Sequence, residues 1–330
     1  MVKAAVSVII PAYNHELYVQ DTINSIISQT FRDIELIVVD DGSKDSTMQK
    51  INELENICRK RFVNVHFETK PNEGTCKTFN RLLELAQGDF VYLIASDDIA
   101  KPDAIQKEFD FLSTHPDYVL AVGDNEFING ENLRIGWDDA MNPVPLNEAP
   151  YKTFSEKISV DSLGLDFSSE DFGRYTKLLR NNHIPNGYMM RRSALADVKF
   201  TPEAPLEDLY LMLQLAKKGK FKFIDEILFS YRWHTGNTAA KRAHMLNITW
   251  QTYRYEKALV EKSSDNELIK TFIAHTESVT PKFNIGNFIR YYRHYGIGFR
   301  ENILEICGRK FQVKYVPVTE DPLPKKTSVK

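Results

Sequence analysis

The chain has 330 residues, 42% of them hydrophobic, 26% charged and 12% aromatic, the composition of a soluble globular protein with one large domain and a smaller appendage. A formal net charge of -3 excludes a general nucleic-acid binder, which needs a strong basic excess. Three scattered cysteines, Cys58, Cys76 and Cys307, give neither a disulfide framework nor a zinc spacing and suit a reducing cytoplasm. The N-terminus runs straight into a strand pattern without a signal peptide, and no stretch approaches the roughly 20 apolar residues of a membrane span, so a cytoplasmic protein is expected.

Over the first 125 residues, short apolar runs alternate with helical spacing. Residues 6–10, stopped by Pro11, read as a buried strand, and Val19, Ile23, Ile26 and Ile27 then fall on one helical face. A second strand over 34–39 ends in Asp40-Asp41-Gly42-Ser43, followed by a helix carrying Met48, Ile51, Leu54 and Cys58. A third strand covers 63–67, and a third helix carries Phe79, Leu82, Leu83 and Ala86. The strand over 90–94 runs directly into Ser96-Asp97-Asp98, and a helix with Ile105, Phe109 and Leu112 leads to a strand over 118–122. Such alternation, with near-continuous apolar strands, predicts an α/β fold with a mostly parallel sheet flanked by helices.

Residues 129–182 break the pattern with Pro143, Pro145 and Pro150, predicting long loops and short helices that shape a substrate cleft. Order returns over 184–195, then in a helix from Leu206 to about Lys218, and in strands over 221–224 and 227–233. Residues 244–311 read as mostly helical, and the Pro- and Lys-rich end as frayed. The division expected is a nucleotide-binding half over 1–125, an acceptor half over 126–240 and a helical C-terminal extension over 241–330.

Open α/β sheets bind ligands beyond the carboxyl ends of their strands, and polar residues cluster there: Tyr13-Asn14, Asp40-Asp41 and Ser96-Asp97-Asp98. Adjacent carboxylates repel unless a cation or donors compensate, so Asp97-Asp98 points to a hard divalent ion such as Mg²⁺ or Mn²⁺. By itself such a pair reads more readily as a solvated helix start; its position at a strand end beside two other polar ends reverses that preference. Asp41 can accept from a base or ribose, or simply serve a turn. Neither Gly-x-x-x-x-Gly-Lys-Ser/Thr nor Gly-x-Gly-x-x-Gly follows the first strand, which disfavours P-loop kinases and dehydrogenases.

Residues 7–14 (SVIIPAYN), 37–47 (IVVDDGSKDST), Asn72-Glu73-Gly74, and Gly88-Asp89-Phe90 leading to Ser96-Asp97-Asp98 together resemble the inverting glycosyltransferases of family two, of GT-A fold. Leu206-Glu207-Asp208 looks like that family's acidic acceptor-side motif, and Tyr231-Arg232-Trp233-His234 continues the likeness. The resemblance implies that Pro11, Ala12, Tyr13 and Asn14 line the nucleotide-sugar site, with Tyr13 stacking near the base and Asp41 on its edge. Ser96 and Asp97 would complete that site, Asp97 touching the ribose or the metal shell. Asp98 would be the main metal ligand and Asp208 the general base. Two positions depart from the pattern: Ala95 stands where relatives often carry Asp, and Phe79 where an Arg often precedes the asparagine, leaving Lys77 as the candidate phosphate contact.

His234 suits a metal or a diphosphate oxygen, with a structural histidine beside aromatics as the equal alternative. Asn186 and Arg192, around the Gly187 break, and Glu207 are candidates for the acceptor pocket. The expected reaction is transfer of one sugar from a UDP- or dTDP-sugar to a glycan or lipid-linked hydroxyl by metal-assisted single displacement, in surface polysaccharide synthesis. Sugar-phosphate nucleotidyltransferases are the rival enzyme class, but want a Gly-rich basic loop where Tyr13-Asn14-His15-Glu16 stands; a non-catalytic nucleotide- or glycan-binding subunit is the other alternative. From residue 284 onward, nine Lys/Arg stand against four Asp/Glu, and aromatics alternate with Arg290, Arg293 and Arg300. Such a tail fits contact with an anionic membrane surface as well as packing on the domain. Oligomeric state is open.

Overall fold

The structure, a computed structural model, describes residues 3–139, 142–161, 165–179, 182–237, 241–279, 303–306 and 309–312. The chain divides into two compact units, Met1–Ser264 and Asp265–Lys330.

The first unit is built on a ten-stranded mixed sheet. Its first strands are β1 (Val6–Ala12), β2 (Ile34–Asp40), β3 (Asn64–Thr69) and β4 (Phe90–Leu93), parallel in the order β3-β2-β1-β4. β1, β2 and β4 are buried along almost their whole length, as their unbroken apolar runs require. Helices α1 (Val19–Ile27) and α4 (Thr75–Leu85) follow the expected faces. The run through Cys58 is two helices, α2 (Thr47–Glu53) and α3 (Glu55–Arg61), meeting at Leu54.

Beyond β4 the sheet changes direction. β9 (Tyr188–Arg191) lies antiparallel between β4 and β6 (Tyr118–Ile128), and β10 (Lys220–Arg232) runs parallel to β6. β10 is a single strand where two are expected: its register shifts around Ile227, beyond the exposed Asp225-Glu226, and pairing resumes. The short β5 (Ile99–Ala100) pairs antiparallel with Phe229 and Ser230 of β10. This pairing draws the turn after β4 against the end of β10.

Residues 129–182 hold β7 (Arg134–Trp137), β8 (Pro143–Pro145), α6 (Phe154–Asp161) and α7 (Tyr175–Leu178), while α5 (Ala104–Thr114), α8 (Glu207–Ala216) and α9 (Arg242–Glu261) are further α-helices of this unit. β6 crosses the 125/126 boundary, so the two expected halves share a strand. The second unit contains α10 (Asn266–Val279) and a hairpin of β11 (Ile303–Ile306) and β12 (Arg309–Gln312). That hairpin places strand at 303–306 and 309–312, within the stretch read as mostly helical. Arg290, Arg293, Arg300 and their aromatic neighbours lie outside the described residues. No helix among the described residues is long and apolar enough to cross a membrane.

Candidate active site

The loops after β1 and β2 are zipped together by side chains. Asn14, at a positive φ of 52° that asparagine tolerates, receives Lys44 N–H on its Oδ1 at 2.8 Å, while its own N–H donates to Ser43 Oγ at 2.8 Å. His15 N–H donates to Thr47 Oγ1 at 2.8 Å, and Glu16 N–H to Asp45 Oδ2 at 3.1 Å. Asp41 N–H donates to the Ala12 carbonyl at 2.8 Å. Pro11, Ala12, Tyr13 and Asn14 are thereby held beside Asp41, with Tyr13 half-exposed on the rim.

Asp41 is occupied on both oxygens. It pairs with Lys70 and accepts from Glu73 N–H and Gly74 N–H, each at 3.0 Å. Burial pushes its pKa up, but the Lys70 ammonium and the Glu73 N–H outweigh it and hold the carboxyl below its usual range. The cation turned inward here is Lys70, at the end of β3. Lys77 sits exposed on the first turn of α4, bonded to Glu73 at 2.7 Å.

Asp97 and Asp98 point to different neighbours. Asp98 is buried, and its Oδ1 accepts from Arg232 N–H at 2.8 Å while Oδ2 has no hydrogen-bond partner. Burial, reinforced by Asp97, pushes its pKa well above the carboxylate range, so it takes up a proton readily. Asp97 Oδ2 lies 3.0 Å from His234 Nε2, 3.3 Å from Asn237 Nδ2 and 3.8 Å from His15 Nε2. His15 Nδ1 is 2.8 Å from the buried Ser96 hydroxyl. Desolvation lowers the pKa of His15 against the pull of Asp97, keeping the ring neutral near pH 7.

His15, Asp97 and His234 therefore offer one ligand atom each within 4.8 Å of one another. Two imidazoles and a carboxylate at the end of a parallel sheet fit a divalent cation. Beneath them the fully buried Arg232 donates from Nε to the Asp97 carbonyl at 2.5 Å and from Nη2 to Asp21 at 3.1 Å, with its guanidinium 4.8 Å from the centre of the Tyr18 ring. That clamp fixes the backbone on which Asp97 sits.

A second acidic group opens α8. Asp208 Oδ2 accepts from Asn182 Nδ2 at 3.2 Å, and Oδ1 from Leu209 N–H at 2.6 Å. Burial raises the pKa of Asp208; burial and then the Asp208 charge push Glu207 up to about 7. Burial and the charges of Asp98, Asp97 and Asp208 push up the Tyr231 phenol, which stays a proton donor.

The remaining acceptor candidates separate. Asn186 sits beside Gly187 at the end of β9 that meets the site, and the buried Asn125 amide, oriented to match it, donates to Asn186 O at 3.0 Å and accepts from Asn186 N at 2.8 Å. Arg192 is not brought to the site. β9 runs antiparallel to β4, so Arg192 lies at the opposite end, exposed, with its N–H on the Asp89 carbonyl at 2.9 Å. His15, Lys70, Asn182, Arg232 and Asn237 carry no assignment from the sequence. His15 stands in the same block as Tyr13 and Asn14 and Arg232 beside His234, which is the signal that marks those two.

The family model described as Glycosyl transferase family 2 matches residues 7–195. The putative teichuronic acid biosynthesis glycosyltransferase TuaG of Bacillus subtilis is 26% identical over 270 residues, covering 79% of this chain and 98% of that protein. Hyaluronan synthase of Pasteurella multocida is 26% identical over 238 residues, 72% of this chain but only 21% of that longer protein. Residues 1–349 of S. aureus TarS, solved with UDP-GlcNAc, superpose with a TM-score of 0.53 at 16% identity, covering 89% of this chain and 79% of that one. The mannosyltransferase PcManGT of Pyrobaculum calidifontis, solved with GDP-Man and Mn²⁺, gives 0.56 at 14% identity, covering 89% and 83%. At these identities the two structures share the fold. The chain belongs to glycosyltransferase family 2 and is a glycosyltransferase of the GT-A type.

Proposed function

We propose that this glycosyltransferase moves one sugar from a nucleotide-diphosphate donor to a hydroxyl acceptor in a single inverting displacement. The observation that carries this reading is that two unlike groups both lie close enough to act on the Tyr231 phenol: Asp97, set with two imidazoles, and Asp208, with raised proton affinity. An in-line displacement needs a base for the acceptor proton and stabilisation of the diphosphate leaving group on opposite faces of the sugar.

Asp208 is the base in this reading. Its two held oxygens keep the carboxylate in one orientation, and its raised pKa strengthens it as a proton acceptor. The nucleotide lies along Tyr13, Asn14 and Asp41, with a uridine or deoxythymidine base. Asp97 with His15 and His234 would hold a divalent cation, which supplies charge neutralisation for the diphosphate when bound. Imidazole donors favour Mn²⁺ over Mg²⁺, which takes oxygen ligands.

The acceptor is read as a surface glycan or its lipid-linked precursor, met at the cytoplasmic face of a membrane; TuaG, 26% identical, is named for teichuronic acid biosynthesis. Thermal-shift titration with UDP-, dTDP- and GDP-sugars, with and without Mn²⁺, tests donor class and cation together. A ligand at a hundred times its dissociation constant stabilises by about 2.7 kcal/mol. A shift with uridine or deoxythymidine donors that grows with Mn²⁺ supports the reading; no shift with any nucleotide sugar removes it.

A further inference from the structure

The helix that carries Asp208 is held from behind by α9, which lies outside the residues matched by the family model. Thr252 of α9 is fully buried and accepts a hydrogen bond from Leu206 N–H at 3.0 Å. Leu206 is the residue at which α8 begins, immediately before Glu207 and Asp208, and it provides no side-chain cap of its own. One turn further along the same face of α9, buried Glu256 accepts from Tyr175 Oη, from Gln214 Nε2 at 2.9 Å and from Lys217 Nζ at 2.7 Å. Tyr253 Oη donates to the Leu178 carbonyl at 2.8 Å, at the end of α7. From there the chain leads to Asn182, whose amide meets Asp208. α9 thus grips α8 near both ends and also the segment that delivers the Asp208 partner.

We propose that Thr252 is a positioning residue for Asp208: by accepting the Leu206 N–H it fixes the first turn of α8, and with it the direction of the carboxylate toward the acceptor hydroxyl. The inference rests on Asp208 being the base. Thr252→Val keeps the side-chain shape and removes the acceptor, leaving a buried N–H without its partner. The first turn of α8 then shifts, and misplacement of a reacting group by about 1 Å costs on the order of 100-fold in rate. Donor binding, built on the ends of β1, β2 and β4, is untouched.

The test compares Thr252→Val, Thr252→Ser and Asp208→Asn in the full chain, measuring kcat, donor KM, donor affinity by calorimetry and thermal midpoint. Thr252→Val is expected to lower kcat about 10- to 100-fold while donor KM and Kd stay within about twofold, and Thr252→Ser to restore kcat to within about threefold. A wild-type kcat in Thr252→Val overturns the proposal, as does a loss matched by equal weakening of donor binding or one that serine does not rescue. Should the valine variant not fold, Thr252→Ala is judged by the same criteria. Turnover retained in Asp208→Asn removes the base itself; turnover lost there but full in Thr252→Val removes only the positioning role.

Discussion

His234 Nε2 lies 3.0 Å from Asp97 Oδ2 while Gly236 N–H donates to His234 Nδ1 at 3.1 Å. The second bond fixes the tautomer, because a nitrogen that accepts cannot carry the proton. Nε2 therefore bears it and donates to Asp97. His15 differs: its Nδ1 lies 2.8 Å from the Ser96 hydroxyl and its Nε2 stands 3.8 Å from Asp97 Oδ2. The two imidazoles are not equivalent, one hydrogen-bonded to the carboxylate and one standing off it. A cation taken by His234 Nε2 replaces that proton and requires residues 234–237 to give up the Gly236 bond.

Cation binding should depend on all three side chains. Asp97→Asn is expected to abolish activation by Mn²⁺, while His15→Gln and His234→Gln weaken it by on the order of 10- to 100-fold. Mn²⁺ titration followed by electron paramagnetic resonance measures this directly. Binding unchanged in Asp97→Asn would remove the assignment of Asp97 as the central ligand.

The acid pair predicts the pH dependence. Burial raises Asp208 above the ordinary aspartate range, so transfer is expected to rise with pH as this base ionises, while burial with the Asp208 charge takes Glu207 to about 7. Glu207→Gln removes the group that titrates at about 7 and leaves Asp208 raised by burial. The same burial disfavours the folded state as pH rises from the unfolded Glu207 value to about 7, so this variant gains thermal midpoint at pH 8 relative to pH 5. A wild-type kcat with no acidic limb contradicts the assignment.

Asp41 behaves in the opposite sense. Burial pushes it up, but Lys70 and two backbone N–H groups more than offset this, so its stabilisation is present above its unfolded pKa near 3.8 and lost as pH falls through the lower folded value. Asp41→Asn is expected to cost on the order of 2–3 kcal/mol at pH 7 by urea denaturation, with the difference shrinking below pH 4, and to weaken nucleotide binding. Equal stability at pH 7 would show that the Lys70 contact contributes nothing.

Gly187 tests the packing behind the acceptor side. Its φ is +73°, and a Cβ there would lie 2.0 Å from the ring of buried Phe229. Gly187→Ala is expected to lose about 2–4 kcal/mol by chemical denaturation and to loosen Asn186. A loss under about 0.5 kcal/mol would mean that the loop relaxes freely.

Much of the polar cluster at the carboxyl ends of the parallel strands was legible because its signals are local. Tyr13, Asn14, Asp41 and Asp97 each follow an apolar run, and parallel strands bring such ends together. Direction was not legible. Nothing in the spacing around Gly187 says that β9 is antiparallel, and that reversal carries Arg192 away from the site. Long-range partners were equally hidden: His15 meets Ser96 across 81 residues, and His234 reaches Asp97 only because β5 pairs with β10. Adjacent acids gave no clue to which would face the imidazoles; the Arg232 N–H takes Asp98 and leaves Asp97 toward them. The acid pair opening α8 was visible as a motif, but its supports, Asn182 and Thr252, come from distant segments.

The most direct test of the account is sugar transfer by Asp208→Asn, measured on a protein whose binding of the nucleotide-sugar donor is established by calorimetry in the same preparation. Loss of transfer by at least about 1,000-fold, with donor affinity within about twofold of wild type, is the predicted result. Transfer at a wild-type rate with donor bound would contradict it.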